Sequence, residues 1–261
     1  MTLDVRGLPS ALFGSAVARH TALTEWDASI RGILPTARRI GFVSLDTGAG
    51  ATTLAGQAVR ILAARRTEPV LAIDVADGAL AARLGAGQTP PSEVRAGART
   101  TADAVTGLDA GDGWFTLRPP VPDGPVGAWL ADAAPITRFF DVSVTDFGAR
   151  HPLVDLAQCA ALCDVVCLVS ASGRAPAELA RAVAPAIAAL PEGPAPVLAL
   201  VDRARDGDAV ARAMAGDAWP VVGIPFDRGL RASAEPAGQA TLRGLLRLVA
   251  TLVSGRTAVP A

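Results

Sequence analysis

Short apolar runs of strand length, rich in valine, isoleucine and leucine, alternate with alanine-rich stretches whose apolar positions recur every three or four residues. Such runs read as buried strands, and the longer periodic stretches as amphipathic helices. Strands are expected near 39–45, 69–75, 114–118, 139–146, 164–170, 196–202 and 219–223. The helical pattern after the first of them, Thr52 to Arg66, places Leu54, Ala58, Ile61 and Leu62 on one face, with Gln57 and Arg60 turned to water. Strand–helix alternation of this length predicts the α/β class: a mostly parallel, doubly wound sheet of about seven strands, helices on both faces, joined by right-handed crossovers. Open sheets of this kind bind ligands beyond the carboxyl ends of their strands. The 46–53 loop, Asp74, Asp146 and Asp202 all fall there.

Two segments interrupt the alternation. Residues 1–38 form an extension with one helix, Ala22 to Ile33, ending before Pro35; it reads as packing for the sheet edge, with an adaptor or lid as alternatives. Residues 86–128 are rich in Gly, Pro and Asp and read as a mobile or partner-facing region in which only Trp114 to Leu117 is strand-like. The main domain is expected over 39–255. Its last helix carries Leu242, Leu245, Leu246, Val249, Leu252 and Val253 on one face, Gly255 caps it, and 256–261 is a tail.

Composition narrows the chemistry. The formal charge is −1 over 261 residues, with scattered arginines and no basic stripe, so direct binding to nucleic acid is not expected. All 24 basic residues are arginine; the chain has no lysine, asparagine or tyrosine. Cys159, Cys163 and Cys167 are three thiols among apolar neighbours with no histidine near, and read as buried core residues of a reduced protein. No basic start followed by an apolar stretch marks a signal peptide, and no apolar run reaches membrane-spanning length, so a cytoplasmic location is expected.

Val43 to Thr53, V-S-L-D-T-G-A-G-A-T-T, follows the apolar run Ile40 to Val43 and opens the Thr52 to Arg66 helix. A phosphate-binding loop needs this strand–loop–helix setting, because consecutive backbone N–H groups and the positive helix end must point at the anion. Gly48 and Gly50 allow the close backbone approach. Thr52 stands where a hydroxyl would ligate magnesium, but Ala51 occupies the position of the usual lysine. A charge-assisted contact contributes about 1.5–3 kcal/mol, or roughly ten- to a hundredfold in affinity.

On these residues the chain resembles the MinD/ParA family of deviant P-loop ATPases, whose loop reads Lys-Gly-Gly-x-Gly-Lys-Thr-Thr. The resemblance spans about residues 39 to 254 and implies a P-loop NTPase fold, with Thr47, Gly48, Ala49, Gly50, Ala51, Thr52 and Thr53 at the nucleotide. Asp46 replaces the signature lysine, which in the family reaches across a dimer to the partner's nucleotide. The family's Asp-x-Asp strand end is matched by Asp74 and Ala76, with Asp77 one residue late, facing a different way and the remaining catalytic candidate. Phe140 to Gly148 resembles the Walker B strand and implies that Asp146 works in catalysis and holds magnesium with Thr52. Asp202 and Arg203 stand where an adenine-reading asparagine is common, and Trp219 to Asp227, with Pro225, followed by Leu230 to Glu235, resembles the loop beside the base. The implied cofactors are ATP and Mg2+, bound weakly or not at all. The implied partners are proteins, including a second copy in a homodimer, with membrane contact only indirect. MinD proteins carry a C-terminal amphipathic anchor, whereas the last helix here reads as core. The function implied is a regulatory or positioning scaffold with little or no hydrolysis. The alternative is an active ATPase using arginine, such as Arg174, in place of the lysines, in cell-pole, pilus or type VII secretion positioning.

Overall fold

The structure is a computed structural model that describes residues 8–191, 193–205, 207–231 and 238–255. Eight strands are present among them: β1 Arg38–Ser44, β2 Val70–Asp74, β3 Asp109–Ala110, β4 Trp114–Leu117, β5 Val142–Ala149, β6 Val165–Ala171, β7 Ala195–Val201 and β8 Val221–Ile224. They form one sheet in the order β3-β4-β2-β5-β1-β6-β7-β8. Every pair is parallel except β3 with β4. The seven expected strands are all there. The eighth, β3, is a two-residue exposed edge, too short to leave any pattern in the sequence.

Helices fill both faces. They are α1 Leu8–Arg31, α2 Ala51–Ala63, α3 Ala79–Arg83, α4 Glu93–Ala96, α5 Thr101–Ala104, α6 Gly124–Ala128, α7 Ala134–Thr137, α8 Leu156–Ala160, α9 Arg174–Ala188, α10 Ala209–Ala213, α11 Arg228–Arg231 and α12 Gln239–Ser254, with a π-helical turn, Trp129–Ala133, joining α6 to α7. Alternate strand residues serve two cores. Ile40, Phe42, Val144 and Cys167 face α2, α12 and the end of α1. Leu71, Ile73, Phe147 and Leu168 face α8, α9 and the α6–α7 segment. Because β1 lies between β5 and β6, the chain winds away from it in both directions, which opens a crevice at the strand tips there.

Several expectations need correction. Gln57 is buried, because α2 is covered by α12 and α3 as well as by the sheet. The N-terminal helix begins at Leu8 and stops at Arg31, so it is longer than the 22–33 pattern. Its last turn is part of the main core: Ile30 is buried, Asp27 pairs with Arg31 and Arg65, and Arg66 Nη1 donates to the carbonyls of Ile30 and Gly32. The strand expected from 139 starts at Val142. Phe139 and Phe140 belong to the turn after α7, where Phe140 packs edge-on against Phe115.

The 86–128 region is not a loose segment. Arg95, 1 % exposed, donates to the carbonyls of Pro90 (2.8 Å) and Thr106 (3.0 Å) and pairs with Asp132, pinning the short helices to the α6–α7 segment. On α12, Leu245, Leu246, Val249, Leu252 and Val253 are buried, whereas Leu242, expected on the same face, is exposed, and Gly255 closes the helix with a left-handed φ of 58°. Among the described residues no helix is long and apolar enough to cross a membrane. The 256–261 tail and residues 232–235 of the Leu230–Glu235 stretch lie outside the described residues.

Candidate functional site

β1 delivers the chain to the sheet's carboxyl edge at Ser44, and the loop then turns into α2 through two left-handed glycines, Gly48 (φ 72°) and Gly50 (φ 109°). Side chains other than glycine rarely adopt that region, so these two positions explain why the loop reads G-x-G. Gly50 is the N-cap of α2, with no side-chain cap, and the helix starts with Leu54 N–H donating to its carbonyl at 2.9 Å. The first amides of a thirteen-residue helix are therefore left to whatever lies before them.

What lies before them is a cavity of about 600 Å3. Residues 47–53, the loop residues the resemblance places at the nucleotide, line it together with Asp77, Asp202 and Pro225. Asp46 is exposed and outside the lining, and Ala76 is absent from it too, so Asp77 does face the site despite its shifted position. Its Oδ1 accepts from Ala79 N–H, the start of α3.

Asp146, next to Thr52, lies outside the cavity lining. It lies on the same face as Val142 and Val144 and is fully buried. Oδ1 accepts from Gly148 N–H at 2.9 Å, whereas Oδ2 is buried with no hydrogen-bond partner. Burial pushes its pKa up to about 6; the nearby Thr52 hydroxyl and the Gly148 amide pull the other way, and Asp74 and Asp77 add to the rise. Asp74 sits directly across in register on β2. Its carboxylate accepts from the amides of Ala76, Gly78 and Ala81, so it builds the β2–α3 turn. Asp146 is not at a strand end as the sequence suggested: β5 continues to Ala149 past a bulge, where Phe42 pairs with Asp146 but Val43 with Gly148.

A buried oxygen without a partner, next to a hydroxyl, fits a hard cation. Magnesium takes few protein oxygens and keeps water and phosphate ligands, so the Thr52–Asp146 pair suits it. No cluster of three or more His, Cys, Asp or Glu that could hold a metal occurs among the described residues.

At the far end, Asp202 is buried, and its oxygens accept from Ala204 N–H (3.1 Å) and Gly207 N–H (2.9 Å). It braces the turn after β7. That turn holds Arg205 at φ 65° with its guanidinium 4.8 Å above the Phe226 ring. Phe226 and Asp227, from the stretch likened to the loop beside the base, line the cavity as well, with Arg203 and Arg83; of these only Arg83 was marked by no motif. Arg174, the arginine named as a lysine substitute, is 88 % exposed, pairs with Glu178 at 3.3 Å, and is not in the lining. The three cysteines are buried free thiols; burial pushes Cys159 up to about 12 and raises Cys163 and Cys167 further.

No family model matches the sequence, and no curated protein does. Solved structures do match in fold. A ParA family ATPase from Chlorobium tepidum aligns with a TM-score of 0.57 and 17 % identity, over 84 % of this chain and 99 % of that one. The MinC:MinD cell division protein complex of Aquifex aeolicus gives 0.61 and 15 %, over 86 % and 98 %. The septum site-determining protein MinD of Pyrococcus horikoshii, complexed with Mg-ADP, gives 0.57 and 17 %, over 87 % and 99 %. At such identities the likeness is one of architecture: the chain has the P-loop NTPase fold of the MinD and ParA proteins.

Proposed function

We propose that this chain is a MinD/ParA-like protein with a degenerate nucleotide site, acting as a cytoplasmic regulatory or positioning scaffold with little or no ATP hydrolysis. One observation carries the reading: the loop keeps its glycine turns, its uncapped helix end and the Thr52–Asp146 pair, yet the lysine position is Ala51. ATP with Mg2+ is the ligand such a cradle suits. The loop amides would hold the phosphates, Thr52 and Asp146 would hold the metal or its water, and the metal would supply charge neutralisation on the phosphate oxygens. Phosphoryl transfer, however, depends on stabilising charge that develops on the outer phosphate. Ala51 offers none and Asp46 is negative, so binding outlasts catalysis.

A partner role follows from the same logic. The Aquifex neighbour is in complex with MinC, and a site that binds without turning over suits a scaffold recruiting protein partners, including a second copy of itself. Pole, pilus or type VII secretion positioning is the setting this reading favours.

Calorimetric titration with ATP and Mg2+, alongside steady-state phosphate release, tests it. The expected result is no sustained turnover by the wild type, with Ala51→Lys binding roughly ten- to a hundredfold tighter. Low-micromolar affinity with steady turnover abolished by Asp146→Ala would overturn the proposal in favour of an active ATPase.

A further inference from the structure

We infer that Arg203 is the cation that grips the phosphate chain of a nucleotide on the 47–53 loop, in place of the missing lysine; the assignment rests on the nucleotide reading above. Arg203 follows β7 across the crevice from the loop. Its Nη2 lies 3.9 Å from the point that a Cβ on Gly48 would occupy, so the guanidinium stands over the first glycine turn. It lines the same cavity as the amides of that turn.

Its charge is available. Arg203 is exposed, and among the described residues it has no ion pair or hydrogen bond. The other cationic candidates are engaged: Arg83 has an interaction of its own, and Arg174 pairs with Glu178 outside the cavity. The carboxylates in the lining are occupied by main-chain amides: Asp77 by Ala79, Asp202 by Ala204 and Gly207, and Asp227 by Gly229 and Gly238.

Its backbone is also held. Asp202, immediately before the arginine, accepts from the amides of Ala204 and Gly207 after it, and so fixes the start of the turn that carries it. A planar guanidinium matches phosphate oxygens two at a time and stays charged at any working pH. The loop provides the second half of the cradle, its amides lining the same cavity as the arginine.

The test is calorimetry on the full chain with two probes, Mg2+–ATP and inorganic tripolyphosphate, for the wild type, Arg203→Gln, Arg203→Lys and Arg174→Gln. Because Arg203 is exposed, the variants should melt with the wild type. Expected is a loss of about tenfold or more for both probes in Arg203→Gln, partial recovery in Arg203→Lys, and no change in Arg174→Gln. Unchanged ATP affinity in Arg203→Gln overturns the assignment and leaves the nucleotide reading standing. A loss for ATP but not for tripolyphosphate overturns it too, because the contact would then be to the base. A wild type that binds neither probe removes both readings together.

Discussion

Replacing Asp146 with asparagine should stabilise the protein at neutral pH while removing the carboxylate proposed above to hold magnesium. The carboxylate is fully buried, and burial lifts its pKa from 3.8 to about 6. A shift of about two units corresponds to about 3 kcal/mol. At about pH 4 and below, the group is protonated in folded and unfolded chains alike and costs nothing. From there to about pH 6 the unfolded chain releases its proton first, and above that the folded protein carries the whole cost of a buried charge. Asparagine keeps an acceptor for Gly148 N–H and offers a donor toward Thr52, without the charge. Urea unfolding of both proteins at steps of pH should therefore show equal stability near about pH 4 and a gap opening to about 3 kcal/mol by about pH 7, or roughly 6–12 °C in melting temperature. Millimolar magnesium should narrow the gap by stabilising the wild type alone. Equal midpoints at every pH, or a variant less stable than the wild type at neutral pH, would refute the argument.

Other outcomes follow from features nearby. Arg95→Met removes the donors to Pro90, Thr106 and Asp132 and should cost about 3–5 kcal/mol in urea unfolding, with early proteolysis within 86–108; a loss under about 1 kcal/mol would contradict the pinning role. A methyl group at Gly41 would stand 2.5 Å from Cys163 Sγ and 3.1 Å from Phe147. Gly41→Ala should cost about 1–3 kcal/mol, and combining it with Cys163→Ala should give less than the sum of the two single losses. A thiol-specific reagent should label none of the three cysteines in the native protein and all of them in urea, since each is buried and raised in pKa; rapid native labelling would show the opposite.

Much of this fold is written in local patterns, because its central strands are buried on both faces and so appear as unbroken apolar runs. The loop was legible for a different reason: left-handed backbone at Gly48 and Gly50 needs glycine, and that need is visible in sequence. What escaped is what long-range packing decides. Gln57 looked like a solvent position until α12 and α3 covered it. No pattern in its Gly- and Pro-rich stretch marks Arg95, whose burial rests on the carbonyls gathered around it. Arg203 and Gly48 are far apart in sequence, and their approach depends on the order in which β1, β6 and β7 stack. Asp146 was named, but its orphaned oxygen could not have been, since that depends on which neighbours fail to reach it.

The extra residue in β5 has a consequence for how the molecule can change. Below it, each strand position is committed to one core or the other, and a one-residue slip would turn Val142, Val144 and Asp146 inside out. Phe147 absorbs the mismatch and Gly148, at φ 70°, resets the direction of the chain. The kink thus works as a joint between a scaffold that must keep phase and a rim that need not. Insertions or deletions beyond Gly148 can remodel the mouth of the crevice without disturbing the layers underneath.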